Sequence, residues 1–358
     1  MTTMTLSRDT AAPATMPTHR IADDKAMLKA AAELTRDLVQ PRARIYWADM
    51  GASALLGYAA LVAATVLPGA WALLAGVVAV LALYRAMSFI HEVSHIRPSA
   101  LPGFRAGYNA LVGVPMLIPS FMYEGVHNLH HAKTRYGTAE DPEYLPLALM
   151  KPWSLPLFVV ISALAPVALL FRYAVLSPLS VLVPGLRRTV VERYSALAIN
   201  PHFRRRAPEG AAKTVWDRVE TLASLWAIAL LAMVATGVIP LRAFAIGMAI
   251  ASAVAVLNQV RTLVAHLWEN EGEAMTVTAQ YLDSVNVPPP SLLPGLWAPV
   301  GLRYHALHHL LPGVPYHNLG EAHRRITAAV EPGSPYHKAS YSGLPYLVAK
   351  IGRSTWRR

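Results

Sequence analysis

Four stretches of residues with almost no charge decide what this chain can fold into. Residues 50–67 and 70–90 follow one another across a Leu67-Pro68-Gly69 turn, and residues 221–239 and 241–260 across Ile239-Pro240. At 1.5 Å per residue, about 20 apolar residues cross the roughly 30 Å of bilayer hydrocarbon. Within that layer a single segment satisfies its own backbone only as a helix. Each pair therefore reads as a helical hairpin that leaves one face of the membrane and returns to it. Arg85 falls near the end of the second run, within snorkelling reach of the interface, and Arg242 lies beside the second turn. Only 15% of the residues are charged, against about 25% in soluble domains.

The remaining segments set the orientation. The net charge of +11 reads as a mark of the cytoplasmic face and an attraction to anionic lipid rather than to nucleic acid. Residues 1–22 read as a disordered start without a secretory signal. From residue 23 to 40, Asp23 or Asp24 caps an amphipathic helix striped by Met27, Leu28, Ala31, Leu34 or Thr35, and Leu38, ended by Pro41 and expected to lie on the membrane surface. Arg42, Arg44, Tyr46 and Trp47 form an interfacial collar. Residues 101–120 carry three prolines and three glycines and read as re-entrant or interfacial. Residues 153–183, broken by Pro156, Pro166, Pro178 and Arg172, are expected to dip into the bilayer and return, with a split into two short tilted helices as the alternative. A basic region, 187–218, reads as a lipid-facing anchor.

Histidine supplies the chemistry. Eight of the 14 histidines fall in three clusters, His91-Glu-Val-Ser-His95, His127-Asn-Leu-His130-His131 and His305-Ala-Leu-His308-His309. Random placement would give the HxxHH pattern roughly 0.02 times in such a chain. On a helix, residues three and four apart share a face, and neutral imidazole is the commonest side-chain metal ligand. Eight imidazoles are too many for one four-coordinate ion and suit two. Nitrogen ligation favours iron, copper, nickel or zinc over magnesium and calcium. With no cysteine in the chain, thiolate sites and disulfides are excluded. If all three clusters serve one centre they share a side of the membrane, which the two hairpins allow.

In motif type, order and membrane context, HEVSH, HNLHH and HALHH resemble the three histidine boxes of the membrane fatty acid desaturase superfamily. The resemblance covers roughly residues 45–330. It implies a non-haem centre of two iron ions, with O2 as co-substrate, that removes hydrogen from an unactivated C–H bond. By motif match it implies the ligands His91, His95, His127, His130, His131, His305, His308 and His309. It adds His266 at the end of the last span, with Thr262 standing where acyl-CoA members have an asparagine. The spacing of the first and third boxes is nearer to sphingolipid and acyl-lipid desaturases and carotenoid hydroxylases. No fused cytochrome motif is present, so the electron donor is expected to be a separate ferredoxin, rubredoxin or cytochrome.

The expectation is an all-α integral membrane protein: four transmembrane helices in two hairpins, with a cytoplasmic helical cap holding a two-metal site. Residues 1–44 form an N-terminal segment, 45–330 the membrane desaturase domain and 331–358 a basic cytoplasmic tail. The expected setting is a bacterial inner membrane with the site facing the cytoplasm. The expected activity is desaturation of an acyl chain. The alternatives are hydroxylation of a lipid or carotenoid and desaturation of a small amino-acid-derived metabolite. A transition-metal transporter is the competing class, but transporters place ionisable ligands inside their spans, and these spans hold almost none. Glu92, Asp141 and Glu143 read as solvated carboxylates, with orientation of ligand rings as the alternative. His317 and His323 read as structural or supporting residues. Trp268 and Asn270 read as packing or substrate-path residues, and Asn318 with Glu321 has the spacing of a capping box.

Overall fold

A computed structural model describes residues 21–291 and 293–356. The disordered start expected for residues 1–22 lies, but for its last two residues, outside these. Among the described residues the fold is helical, with isolated bridges such as His266 to Ser284 in place of strands. Five helical stretches are long and apolar enough to cross a membrane: Ala43–Val66, Gly69–His95, Ser154–Leu182, Gly210–Ala235 and Leu241–Leu263.

The first two make the first hairpin, and small residues let them approach closely. Ala60, Ala64 and Ala79 are buried between them. A Cβ on Gly57 would lie 2.7 Å from the Leu83 side chain. In lipid, such small-residue contacts replace the hydrophobic drive that water would supply. The outward faces carry Leu55, Val62, Trp71 and Leu73, all exposed. Arg85 does not snorkel. Its guanidinium is paired with Asp49 on the neighbouring helix, 2.7 Å from Nε to Oδ1, and the Tyr316 hydroxyl donates to the same carboxylate. A carboxylate one residue ahead of the first apolar run offers a nearer partner than the interface.

Ser154–Leu182 is continuous only loosely. Pro166 and Pro178 lack the amides that would extend the helical ladder. The chain passes through a 3₁₀ turn at Ile161–Leu164 and a π turn at Arg172–Leu176. Ser252 of the second hairpin donates to the Ala163 carbonyl at the first break. Arg172 is buried and donates to Glu220, the Tyr194 carbonyl, Ser177 and Ser195. The basic region is thus partly consumed inside the protein: Arg187 also reaches Glu220 and Arg205 lies over the Trp216 ring.

The polar segments form one cap over the ends of both hairpins. Asp24 caps the Lys25–Leu34 helix by accepting from the Met27 amide. The apolar stripe of that helix does not face lipid: Met27 and Ala31 pack with Tyr281, Leu319 and Ile326. The cap itself offers them an apolar surface, which overrides the membrane reading. The Leu344–Thr355 helix likewise buries Leu347 and Ile351 in the cluster around Trp268. No capping box forms at Asn318, whose amide donates instead to the Leu38 carbonyl.

Gly301, four residues before the third histidine cluster, is required twice over. Its φ is +71°, and an added Cβ would meet the Tyr316 backbone at 3.0 Å and the Leu319 side chain at 2.8 Å. Gly301→Ala is expected to lower stability by about 2 kcal/mol from backbone strain and overpacking, read as an earlier unfolding midpoint in detergent.

Candidate metal centre

The Gly69–His95 helix runs unbroken through its last two turns, which present His91 and His95 one above the other. His127–His130 is a single turn and His305–Leu310 a short helix. The latter is held at its start by bonds from the Leu307 amide to Asn286 Oδ1 and from the Ala306 amide to the Val285 carbonyl. His266 follows the end of the second hairpin.

These elements bring all nine sequence-predicted histidines together. His91, His95, His127, His131 and His308 form one group, and His130, His266, His305 and His309 a second; within each group the nitrogens lie within 4.8 Å of one another. The groups adjoin, with the His131 and His309 rings stacked at 4.2 Å. Facing Nε2 atoms are 3.0 Å apart for His127 and His131, for His95 and His308, and for His266 and His305. Ligands at right angles around one ion with bonds of about 2.1 Å would stand about 3 Å apart.

The Nδ1 atoms say which lone pairs are free. His130 Nδ1 donates to Asp141 at 2.9 Å and His127 Nδ1 to Glu143 at 2.8 Å. His266 Nδ1 donates to the Tyr136 oxygen at 2.8 Å, and Tyr136 in turn donates to Asp283 at 2.7 Å. A ring whose proton is held at Nδ1 turns an Nε2 lone pair inward. Where the facing nitrogen also presents a lone pair, an approach of 3.0 Å repels unless a cation lies between the two. His91 has neither nitrogen hydrogen-bonded, and Nδ1 of His131, His305 and His309 is buried without a partner. Burial holds His127, His131, His266, His305, His308 and His309 well below the usual histidine range, so they are neutral. Neutral, convergent and orphaned imidazoles are the donor set that two transition-metal ions require.

The carboxylates are not solvated. Asp141 is fully buried and also accepts from the Gly137 and Glu143 amides, both at 2.8 Å. Glu92 accepts from Tyr46 and from the Tyr316 amide. Burial pushes Glu143 up to about 7 and Asp283 up to about 6; a cation among the histidines would draw both toward the charged form. Asp283 and Tyr136 were missed in the sequence because they stand 17 and 130 residues from His266, with no motif to link them.

Other expectations resolve as structure. His317 bonds to Asn318 and to the Arg42 amide, and His323 to the Tyr336 hydroxyl, so both stand outside the two groups. Trp268 is fully buried and donates to the Leu263 carbonyl, while Asn270 donates to the Gly137 and Glu273 carbonyls. Thr262 spends its hydroxyl on the Asn258 carbonyl within its own helix. A cavity of about 450 Å³ reaches His91, Tyr123 and Glu143 from between the hairpins and the Ser154–Leu182 stretch, lined mostly by apolar side chains.

No solved structure matches the chain. The sequence is 51% identical over 326 residues, 91% of this chain and 93% of the relative, to a protein named ceramide hydroxylase from Caulobacter vibrioides (strain NA1000 / CB15N). The sequence model of the fatty acid desaturase family matches residues 67–340, a span that contains all nine histidines. The chain therefore belongs to the fatty acid desaturase family, within the membrane desaturase and hydroxylase superfamily, and is an oxidoreductase of its di-iron type.

Proposed function

We propose that the nine histidines hold two iron ions and that the protein hydroxylates a lipid of the ceramide class, using O2 and electrons from a separate carrier protein. The observation that carries substrate and reaction is the 51% identity, over nearly the whole of both chains, to a ceramide hydroxylase. The family's name favours desaturation, the reaction expected from the sequence, but a relative matched at this identity along almost its full length weighs more. Two iron ions bound there would supply the O2 activation that an unactivated C–H bond demands.

The chain's own residues do the rest. Asp141, Glu143 and the Tyr136–Asp283 pair keep the outer ring protons in place, so that the inner lone pairs stay aimed at one point. The apolar cavity walls hold an alkyl chain beside His91 and keep water from the reacting carbon.

We infer four spans for this arrangement, Ala43–Val66 with Gly69–His95 and Gly210–Ala235 with Leu241–Leu263, out of the five helical stretches long enough to cross. Both hairpins begin and end on the histidine side, so the segment between His131 and Gly210 must do the same; Ser154–Leu182 then enters the bilayer without crossing it. The basic region 187–218 lies on that side, while the far turns hold only Arg242, which supports a cytoplasmic cap on a bacterial inner membrane.

The test is product mass. Iron-loaded protein supplied with a ceramide, labelled O2 and a reduced electron carrier should return a ceramide carrying one labelled oxygen, the other leaving as water. A product lacking two hydrogens and carrying no label would restore desaturation.

A further inference from the structure

The cavity beside the histidines changes character along its length. The Leu241–Leu263 helix lines it first with Ala251, Val254 and Ala255, then with Asn258, Gln259 and Arg261. On the neighbouring helix the lining runs from Met87 to His91. At about 1.5 Å per residue the apolar stretch extends some 15 Å away from Arg261, room for one alkyl chain.

Arg261 is the unusual member. It exposes only 9% of its surface, yet its Nε is buried without a hydrogen-bond partner. Among the described residues no carboxylate pairs with it, whereas Arg85 has Asp49 and Arg172 has Glu220. The Tyr84 hydroxyl accepts one of its hydrogen bonds, but a buried cation with no carboxylate beside it is costly to keep. It stands at the metal end of the cavity: after burial, its charge is among the causes that hold His266 and His305 neutral. A guanidinium offers five N–H donors and no acceptor, so whatever satisfies it must bring oxygen lone pairs. The amides of Asn258 and Gln259 beside it both donate and accept.

We propose that Arg261 binds the polar end of the lipid substrate, donating to its amide carbonyl and hydroxyl oxygens, and so holds the carbon to be oxidised within a few bonds of that end. The alkyl chain then runs from Arg261 toward Ala251. This rests on the hydroxylase reading above and adds the residue that selects a lipid by its polar group.

The experiment has two arms. In metal-free protein reconstituted in nanodiscs, binding of radiolabelled N-acyl sphinganine is compared with binding of a plain alkane of matching length. Arg261→Gln is expected to weaken N-acyl sphinganine roughly tenfold or more, the scale of a lost charged hydrogen bond, and to leave the alkane unchanged. Arg261→Lys should recover part of the loss, and iron uptake should equal that of the unaltered protein. Undiminished N-acyl sphinganine binding by Arg261→Gln would overturn the assignment, as would equal loss of both probes. The second arm uses unaltered protein and N-acyl sphinganines of increasing acyl length, mapping the new hydroxyl by fragmentation. A position constant from the amide is expected; one that moves to stay constant from the methyl end would overturn the anchor even if the variants fail to fold. If the unaltered protein neither binds nor hydroxylates any N-acyl lipid, the functional reading fails and takes the anchor with it.

Discussion

His308→Ala is expected to abolish lipid oxidation and to empty one of the two proposed metal positions, while the long helices remain folded. His308 Nε2 lies 3.0 Å from His95 Nε2 and 3.2 Å from His131 Nε2, so it joins the end of the first hairpin to the second cluster. Removing it takes an imidazole from the middle of its group and leaves the His95 and His131 nitrogens without their common neighbour. The hairpin contacts at Gly57, Ala60, Ala79 and Leu83 do not involve that ring, so helix content by circular dichroism should not change. Iron per chain is expected to fall toward half: four imidazoles remain in that group, but His95 and His131 lose the ring that joins them. His323→Ala is the matched control, since that ring bonds to Tyr336 and not to the histidine groups. Iron content and turnover equal to those of the unaltered protein in His308→Ala would remove the residue from the centre.

What could be read in the sequence follows the range of the interactions involved. Hairpin helices are local: an uncharged run of sufficient length in lipid has one way to satisfy its backbone, and the helices ending at Val66 and His95 lie where the runs placed them. The histidine clusters are legible because each is a single turn, and nothing but shared chemistry explains the pattern. The partners of those rings are not local. Asp141 lies 11 residues from His130, and Asp283 reaches His266 only through Tyr136. A carboxylate looks the same in sequence whether it is solvated or buried, in a loop as for Asp141 and Glu143 or on a helix as for Glu92, which is why all three read as surface groups. The helix at Lys25–Leu34 forms as expected, and only its placement on the membrane is overturned, for the same reason. Its stripe is equally suited to lipid and to Tyr281 and Ile326, and only the folded cap decides between them.

The carboxylate behind His130 gives the second large effect. Asp141→Ala is expected to lower iron affinity and turnover by about 10- to 100-fold, the range for groups that orient metal-binding histidines. The side chain does two tasks: it accepts the Nδ1 proton of His130 at 2.9 Å and fixes the 137–143 loop through the Gly137 and Glu143 amides. Alanine forfeits both, leaving buried donors unsatisfied at about 1–3 kcal/mol each. Asp141→Asn is the milder change: its one oxygen can still take the Glu143 amide and lies within reach of His130 Nδ1, but the position that accepts from the Gly137 amide and from His130 can become an NH2, and the negative charge is lost. It should lose less stability than Asp141→Ala and still lose iron affinity. The metal-free protein adds a pH signature. Burial opposes charge on His130, yet Asp141 beside it holds the ring above the usual histidine value. A raised histidine stabilises the fold fully below its unfolded value near 6.5, and that contribution fades as pH rises through the folded value. The stability gap between unaltered and Asp141→Asn metal-free protein should therefore be widest below about pH 6.5 and narrow on the alkaline side, measured as unfolding midpoints across pH. A gap that widens toward high pH would mean that the His130–Asp141 pair is not the charged contact drawn here.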